Sequence, residues 1–370
     1  MKDGKSVSIK RVFILAGALC AYLIGSATAT GQESMQFFTS HGYIGIASII
    51  ITLIIFGWAA STLITLGSEL GDTNESVYEY FFGNFVGWIF EWFVILFLFA
   101  LSVTLISGSG TIFADFYGMD KLYGSALMSV LIFLTVLLSL QKLVDVLSFI
   151  APIIIIFTVI ISIVSIVNNS GDILMAEQFL SEVKAVRAVD SWVLSGILYS
   201  AFGVTVAAPF LIKMGSTVAN RKEALYGGLL GATIYAITIA IISFALLVNI
   251  KYIFNKETPL VFLAEGFHPI FGVLFSLILL AGLYTTGAPM FWYVCDRFAA
   301  GGSTRHKLIS AILIVIAFIG GLYLPFAKLV GTIFPLTGVL GLLLLIAIGI
   351  NQIKKKIKNN AEKKIESKSI

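Results

Sequence analysis

From Val12 to Ile350 the chain alternates between apolar runs of about 20 residues and short breaks that hold most of its charge. About 20 apolar residues is the length at which an α-helix crosses the hydrocarbon core of a bilayer. The pattern confines the chain to folds in which every backbone polar group is satisfied inside the membrane. Apolar residues make up 58% of the sequence and charged residues 12%, where a soluble domain carries roughly 25%. A soluble chain of 370 residues could bury a core, but this one lacks the charges to cover it.

The runs predict ten transmembrane helices. They cover Val12–Phe38, which looks interrupted, Tyr43–Leu66, Phe85–Ile106, Leu122–Leu140, Val144–Val167, Ser191–Ile212, Ala224–Val248, Pro269–Val294, Leu308–Leu324 and Leu329–Ile350. The longest connection, Asn168 to Asp190, reads as a short surface helix. Residues 1–350 form a single transmembrane domain, and 351–370 a basic tail.

With the N-terminus inside, eighteen of the 24 Lys and Arg residues fall on the cytoplasmic side and six outside. The positive-inside rule then places both termini in the cytoplasm of a cell whose plasma membrane holds the protein. The net charge of +4 follows this topology and does not suggest nucleic acid. A competing reading takes Lys10-Arg11, the apolar run and Ala27-Thr28-Ala29 as a signal peptide, which would leave nine spans.

Cys20 and Cys295 both lie in or beside apolar runs and read as buried thiols. The three histidines do not cluster, so no resident metal is expected. No nucleotide-binding or zinc-hydrolase motif occurs, and no catalytic pair sits at matching depth; the chain does not read as an enzyme.

Two spans carry breaks. In the first, Gly25-Ser26-Ala27-Thr28-Ala29-Thr30-Gly31 is followed by Gln32-Glu33. Small and hydroxylated residues between two glycines hold a straight helix poorly. A small-residue packing face is the bland alternative, but Glu33 lies about two turns past Gly25, and an ionisable residue at that depth points to function. The sixth span holds Tyr199-Ser200-Ala201-Phe202-Gly203-Val204-Thr205 and then Pro209. Asp145 precedes Pro152 by the same interval that separates Lys328 from Pro335. Together these features suggest two five-helix repeats, about 12–168 and 190–350, of opposite orientation, with a transport site at the matching breaks.

The stretch Ala21 to Phe38, AYLIGSATATGQESMQFF, resembles the GxxxGxGFASGQExxxFF signature of the bacterial YkvI-like membrane proteins. The likeness continues more loosely through SGILYSAFGVTVAAP and AGLYTTGAP. Ala21 and Ala27 stand where that signature has glycine, which narrows the space there. The resemblance implies the amino acid/polyamine/organocation superfamily and its LeuT-type fold, an all-α inverted repeat of five plus five helices with the first and sixth interrupted. It implies a secondary transporter and supplies no substrate.

In such a fold the unwound first helix would offer backbone N–H groups at Thr28, Ala29, Thr30 and Gly31 to a carboxylate. Gly25, Tyr199, Ser200 and Phe202 would complete the pocket, and the expected solute is an amino acid or another small carboxylate. For the coupling ion two readings stand. Sodium would take the carbonyls of Ala21 and Ile24 with the hydroxyls of Thr285 and Thr286, unless those hydroxyls bond back within their own helix. A proton would use Glu33, because burial favours the neutral carboxyl. Glu91, between Trp88 and Trp92, reads as an interfacial carboxylate in an aromatic belt, as do Asp296 and Arg297 at the end of the eighth span. Tyr284 is expected to face the cavity. A non-transporting sensor, like a germinant-receptor subunit, is the main rival, with an ion channel behind it.

Overall fold

The computed structural model describes residues 7–24, 26–71, 76–137, 140–183, 185–218, 220–299 and 303–366. Every regular element among these residues is helical. The helices, in chain order, are α1 (Ile9–Leu23), α2 (Ser26–Thr30), α3 (Gln32–Phe37), α4 (Gly45–Leu70), α5 (Val77–Phe82), α6 (Asn84–Asp115), α7 (Lys121–Val136) and α8 (Leu140–Asn168). They continue with α9 (Ala176–Glu182), α10 (Trp192–Ser216), α11 (Arg221–Val248), α12 (Ile250–Ile253), α13 (Pro259–Glu265), α14 (Pro269–Phe298), α15 (Thr304–Tyr323) and α16 (Phe326–Glu366).

Among the described residues, seven helices are long and apolar enough to cross a membrane. An eighth span is reached if Pro152–Asn168 is taken with the segment after it, bent from it by 81°. Lys121–Val136 is apolar but shorter, and the first span is divided among α1, α2 and α3. Hydrocarbon offers no hydrogen-bond partners, so each long helix satisfies its backbone internally and turns apolar side chains outward. Ile54, Leu96, Ile237 and Ile316 are exposed in this way.

The interior has two hydrophobic clusters. One is built from α1, α4, α10, α11 and α16, around Leu19, Phe56, Leu63 and Phe334. The other joins α7, α8, α13 and α14 to the far ends of α6 and α11, around Ile132, Leu246 and Phe275. Phe99 and Met290 pack against both. The first span lies at their junction, with Cys20 and Ile24 in one cluster and Ala29 and Met35 in the other.

α10 crosses its neighbours at close range. A Cβ on Gly67 of α4 would run into the carbonyl of Ile212, and one on Gly215 of α10 into that of Ile64. α16 approaches α10 in the same manner, with Gly338 against the Leu198 carbonyl and Gly341 against that of Ala201. Only a residue without a side chain lets the backbones meet so closely.

The break in the first span is narrower than the sequence suggests. Helix α1 ends at Leu23, and the chain is helical again from Ser26. A second break falls at Gly31, whose φ of 86° is a conformation that a side chain disfavours.

The sixth span is not interrupted: α10 runs unbroken from Trp192 to Ser216. The hydroxyls that suggested unwinding bond back along the helix, Ser200 Oγ to the Gly196 carbonyl at 2.7 Å and Thr205 Oγ1 to that of Ala201 at 2.8 Å. Pro209 has no N–H for the Thr205 carbonyl one turn earlier. The Tyr78 hydroxyl donates to that oxygen instead, at 2.8 Å, so the helix keeps its course. The neighbouring Val206 carbonyl accepts a further bond from the Tyr22 hydroxyl at 2.9 Å.

Elsewhere, the connection after the fifth span does hold a short helix, α9, as expected. Residues of this connection grip the far end of the first span, Arg187 Nε donating to the Ser40 carbonyl at 3.0 Å and the Ala188 N–H to that of Gln36 at 3.2 Å. Helix α16 continues through the lysine-rich tail as far as Glu366, and Lys355 Nζ lies 2.7 Å from Glu69 at the end of α4. Both cysteines are free and buried.

Candidate solute-binding site at the break in the first span

A cavity opens beside the first break. The first span contributes Tyr22, Leu23, Thr28 and Glu33. Helix α6 adds Leu101 and Leu105, and α10 adds Phe202, Gly203 and Val206. Tyr235 of α11, Thr286 and Met290 of α14, and Phe334 of α16 close it. Its walls are mostly apolar, with few convergent polar groups, which is the usual make-up of a small-molecule site.

Glu33 is the centre of the polar part. It sits on the first turn of α3 and is buried. Its Oε2 accepts from the Thr28 hydroxyl at 3.0 Å and from the Tyr199 hydroxyl at 2.8 Å. Tyr199 in turn stands 2.8 Å, oxygen to oxygen, from Tyr235. With Tyr199 donating to the carboxylate, Tyr235 donates to Tyr199. The chain of bonds thus joins α2, α3, α10 and α11 around one carboxyl group. Phe37 and Phe38 pack on the Tyr199 ring, centroids 5.1 Å and 4.9 Å away, and hold it in place. Phe202 stacks on Phe334 at 4.4 Å, and Tyr22 on Phe210 at 4.4 Å.

The residues singled out in the sequence divide clearly. Thr28, Phe202, Glu33 and Thr286 line the cavity, and Tyr199 reaches it through Glu33. Gly25 lies outside the described residues. Ala29 is packed in a hydrophobic cluster. Thr30 Oγ1 accepts from the Gln32 N–H at 3.2 Å, and the Gly31 N–H is taken by the Thr28 carbonyl at 3.1 Å, so Gly31 is no free donor. Ser200 is turned away, bonded to Gly196 and to the Thr52 carbonyl at 3.4 Å. Thr285 bonds back to the Gly282 carbonyl at 3.0 Å, leaving Thr286 as the α14 hydroxyl on the cavity. Ala21 and Ile24 are not among the lining residues.

Tyr284 is not among the residues lining the cavity; its hydroxyl stands 2.6 Å from Thr135 Oγ1 of α7. Glu91 keeps the aromatic surroundings expected of it, with Trp88 and Trp92 in edge contact at 6.2 Å. It is buried and lies 3.6 Å from Arg297 Nη2, whose guanidinium covers Trp92 at 5.7 Å.

Tyr22, Tyr235, Phe334 and Met290 were not singled out in the sequence. Tyr235 carried a signal, a phenol in the middle of an apolar run, since a buried tyrosine hydroxyl usually finds a partner. Among the described residues, no group of three or more His, Cys, Asp or Glu could hold a metal ion.

The fold is that of LeuT-type membrane transporters. A mutant of the Eremococcus coleocola manganese transporter superposes with a TM-score of 0.62 at 13% identity, over 94% of this chain and 80% of that one. MhsT in complex with L-phenylalanine superposes with a TM-score of 0.54 at 13% identity, over 90% of this chain and 88% of that one. In sequence, the chain is similar to the membrane protein YkvI of Bacillus subtilis (strain 168), with 22% identity over 343 residues, 92% of this chain and 95% of YkvI. The YkvI-like resemblance seen in the first span therefore extends along almost the whole length. No family model matches the chain.

Proposed function

We propose that this chain is a secondary active transporter, not an enzyme, that moves a small carboxylate-bearing solute, an amino acid, by cation-coupled alternating access. The observation that carries the reading is Glu33: an acid on a broken span, inside a cavity, bonded to a residue of another helix. An ionisable group is costly in a bilayer and is retained there for transport or signalling. The transporter fold supports the reading, as does a neighbour of that fold that binds L-phenylalanine.

In this reading the protein has ten spans in two inverted five-helix repeats, about 12–168 and 190–350, and lies in the plasma membrane with both termini cytoplasmic. The cavity is the solute site. The coupling ion is a proton on Glu33 or a sodium ion near Thr286.

Purified protein in proteoliposomes, given a labelled amino-acid pool under an imposed sodium or proton gradient, tests it. Uphill accumulation under one gradient is expected and identifies the ion. Saturable binding with no accumulation of any solute would place the chain with membrane sensors instead.

A further inference from the structure

Helix α16 runs for 41 residues, about 60 Å at 1.5 Å per residue. A bilayer with its headgroups is about 40–45 Å thick, so the lysine-rich end of the helix stands in water. Along α16 one face repeats every seven residues. Leu336, Leu343, Ile350 and Ile357 hold one position of this heptad, and Val339, Ile346 and Ile353 the position three residues later. Lettered from Leu336, these are positions a and d, and all seven side chains are exposed. Positions b, c and f turn to the body of the protein. Thr337, Leu344, Leu345 and Ile348 are buried there, and Gly338 and Gly341 meet the backbone of α10. Further along, Lys355 at f still reaches back to Glu69 at 2.7 Å.

Lipid accounts for only part of this stripe. Acyl chains accept any apolar residue on an outward face and impose no spacing. A straight helix drifts by about 20° per heptad from such a repeat, yet the steps of three and four alternate from Leu336 to Ile357 without a slip. The stripe also passes out of the apolar part of the helix. Ile353 and Ile357 are 61% and 63% exposed, set among Lys354, Lys355, Lys356 and Lys358, beyond the reach of acyl chains.

Apolar residues at a and d are knobs for the holes of another helix with the same repeat. Copies of one chain share one orientation in a membrane, so their α16 helices run parallel and each stripe residue meets its own counterpart. Covering the seven side chains removes on the order of 700 Å² per copy, close to the roughly 800 Å² per partner of a stable interface. Across such a seam Lys354, at e, is matched with position g of the neighbour, which is Gly349, so like charges do not oppose each other there. Two-stranded coils favour Leu at d, and here d holds only Val and Ile. Leu or Ile at a with Ile at d favours three or four strands.

We propose that α16 joins three or four copies of this chain in a parallel bundle that begins inside the membrane at Leu336 and continues into the basic tail as far as Ile357. Within the bilayer the bundle is held by side-chain packing. At its aqueous end, burial of Ile353 and Ile357 adds a hydrophobic contribution. The assembly is independent of what the cavity binds.

The test uses the full-length protein, labelled with one fluorophore per chain and reconstituted at low density in bilayers, where photobleaching steps count the copies. Three or four steps are expected, and the double variant Ile353→Lys, Ile357→Lys should give one. Both side chains are exposed, so that variant should fold, and its circular dichroism checks this. A second measurement does not depend on it. In native membranes a short bis-maleimide should join chains carrying Ile353→Cys or Ile357→Cys, but not chains carrying Lys355→Cys on the opposite face. The two native cysteines are buried and leave the wild type unjoined. One or two copies per spot, an assembly unchanged by the lysine pair, or joining at residue 355 as efficient as at 353 overturns the proposal.

Discussion

The Tyr199 hydroxyl lies 2.8 Å from Glu33 Oε2, joining residues 166 positions apart in the chain. The bond crosses from the unbroken α10 to the short α3 beyond the double break. It makes the position of the carboxyl depend on α10, the helix most tightly packed between α4 and α16. Any movement of α10 relative to the first span must strain or release this bond.

Tyr199→Phe tests that dependence. A hydrogen bond to a charged group contributes about 1.5–3 kcal/mol, so solute affinity should fall by roughly tenfold or more. Tyr235→Phe removes only the outer bond of the chain and should have the smaller effect. Equal uptake KM for wild type and Tyr199→Phe would show that the phenol serves packing alone.

A second prediction concerns Pro209. The Thr205 carbonyl accepts from Tyr78 at 2.8 Å because Pro209 cannot serve it. Tyr78→Phe should leave this buried oxygen unpaired and cost about 1–3 kcal/mol. Pro209→Ala returns an N–H to the helix, so the same Tyr78→Phe change should cost much less in that background. A double-mutant cycle on thermal unfolding in detergent measures the difference, and additive effects would refute the explanation.

The crossing of α4 and α10 yields a third. Gly67→Ala or Gly215→Ala would press a Cβ on the facing backbone carbonyl. Overpacking costs typically about 1–3 kcal/mol, and backbone cannot move aside as a flexible side chain can. Either variant should lower the yield of monodisperse protein on size exclusion. Gly17→Ala, with nothing within 4 Å of the added atom, should behave as wild type.

Gly31→Ala is the fourth. Its φ of 86° costs a side-chain-bearing residue roughly 1–2 kcal/mol. The added Cβ would also lie 3.1 Å from Pro259 and from Leu260. The variant should unfold at lower temperature and lose solute affinity, because α3 carries Glu33. A stable variant with unchanged binding would show that this break has no role in placing the acid.

Much of the architecture was legible before any coordinates. The apolar runs located the helices, and the two glycines around Ser26–Thr30 located the disturbed part of the first span. Glu33 stood out as an acid at membrane depth. The sixth span misled because Ser200 and Thr205 can either open a helix or bond back along it. Sequence does not reveal which, and a tyrosine on α5 decided the matter for Pro209. Tyr284 was expected to face the cavity, yet it is not among the lining residues, and its hydroxyl stands beside Thr135 of α7.

The sequence by itself determined the membrane character and the helical class, and it singled out Glu33. These are local properties: in hydrocarbon each segment must bond its own backbone, so length and hydropathy are enough. Tertiary structure alone decided which hydroxyls meet that acid and which aromatic rings wall the cavity. It also decided that, among the described residues, no basic side chain lines the wall. Those contacts join residues as far apart as Tyr22 and Phe334, and they exist only once close helix crossings bring distant turns into register.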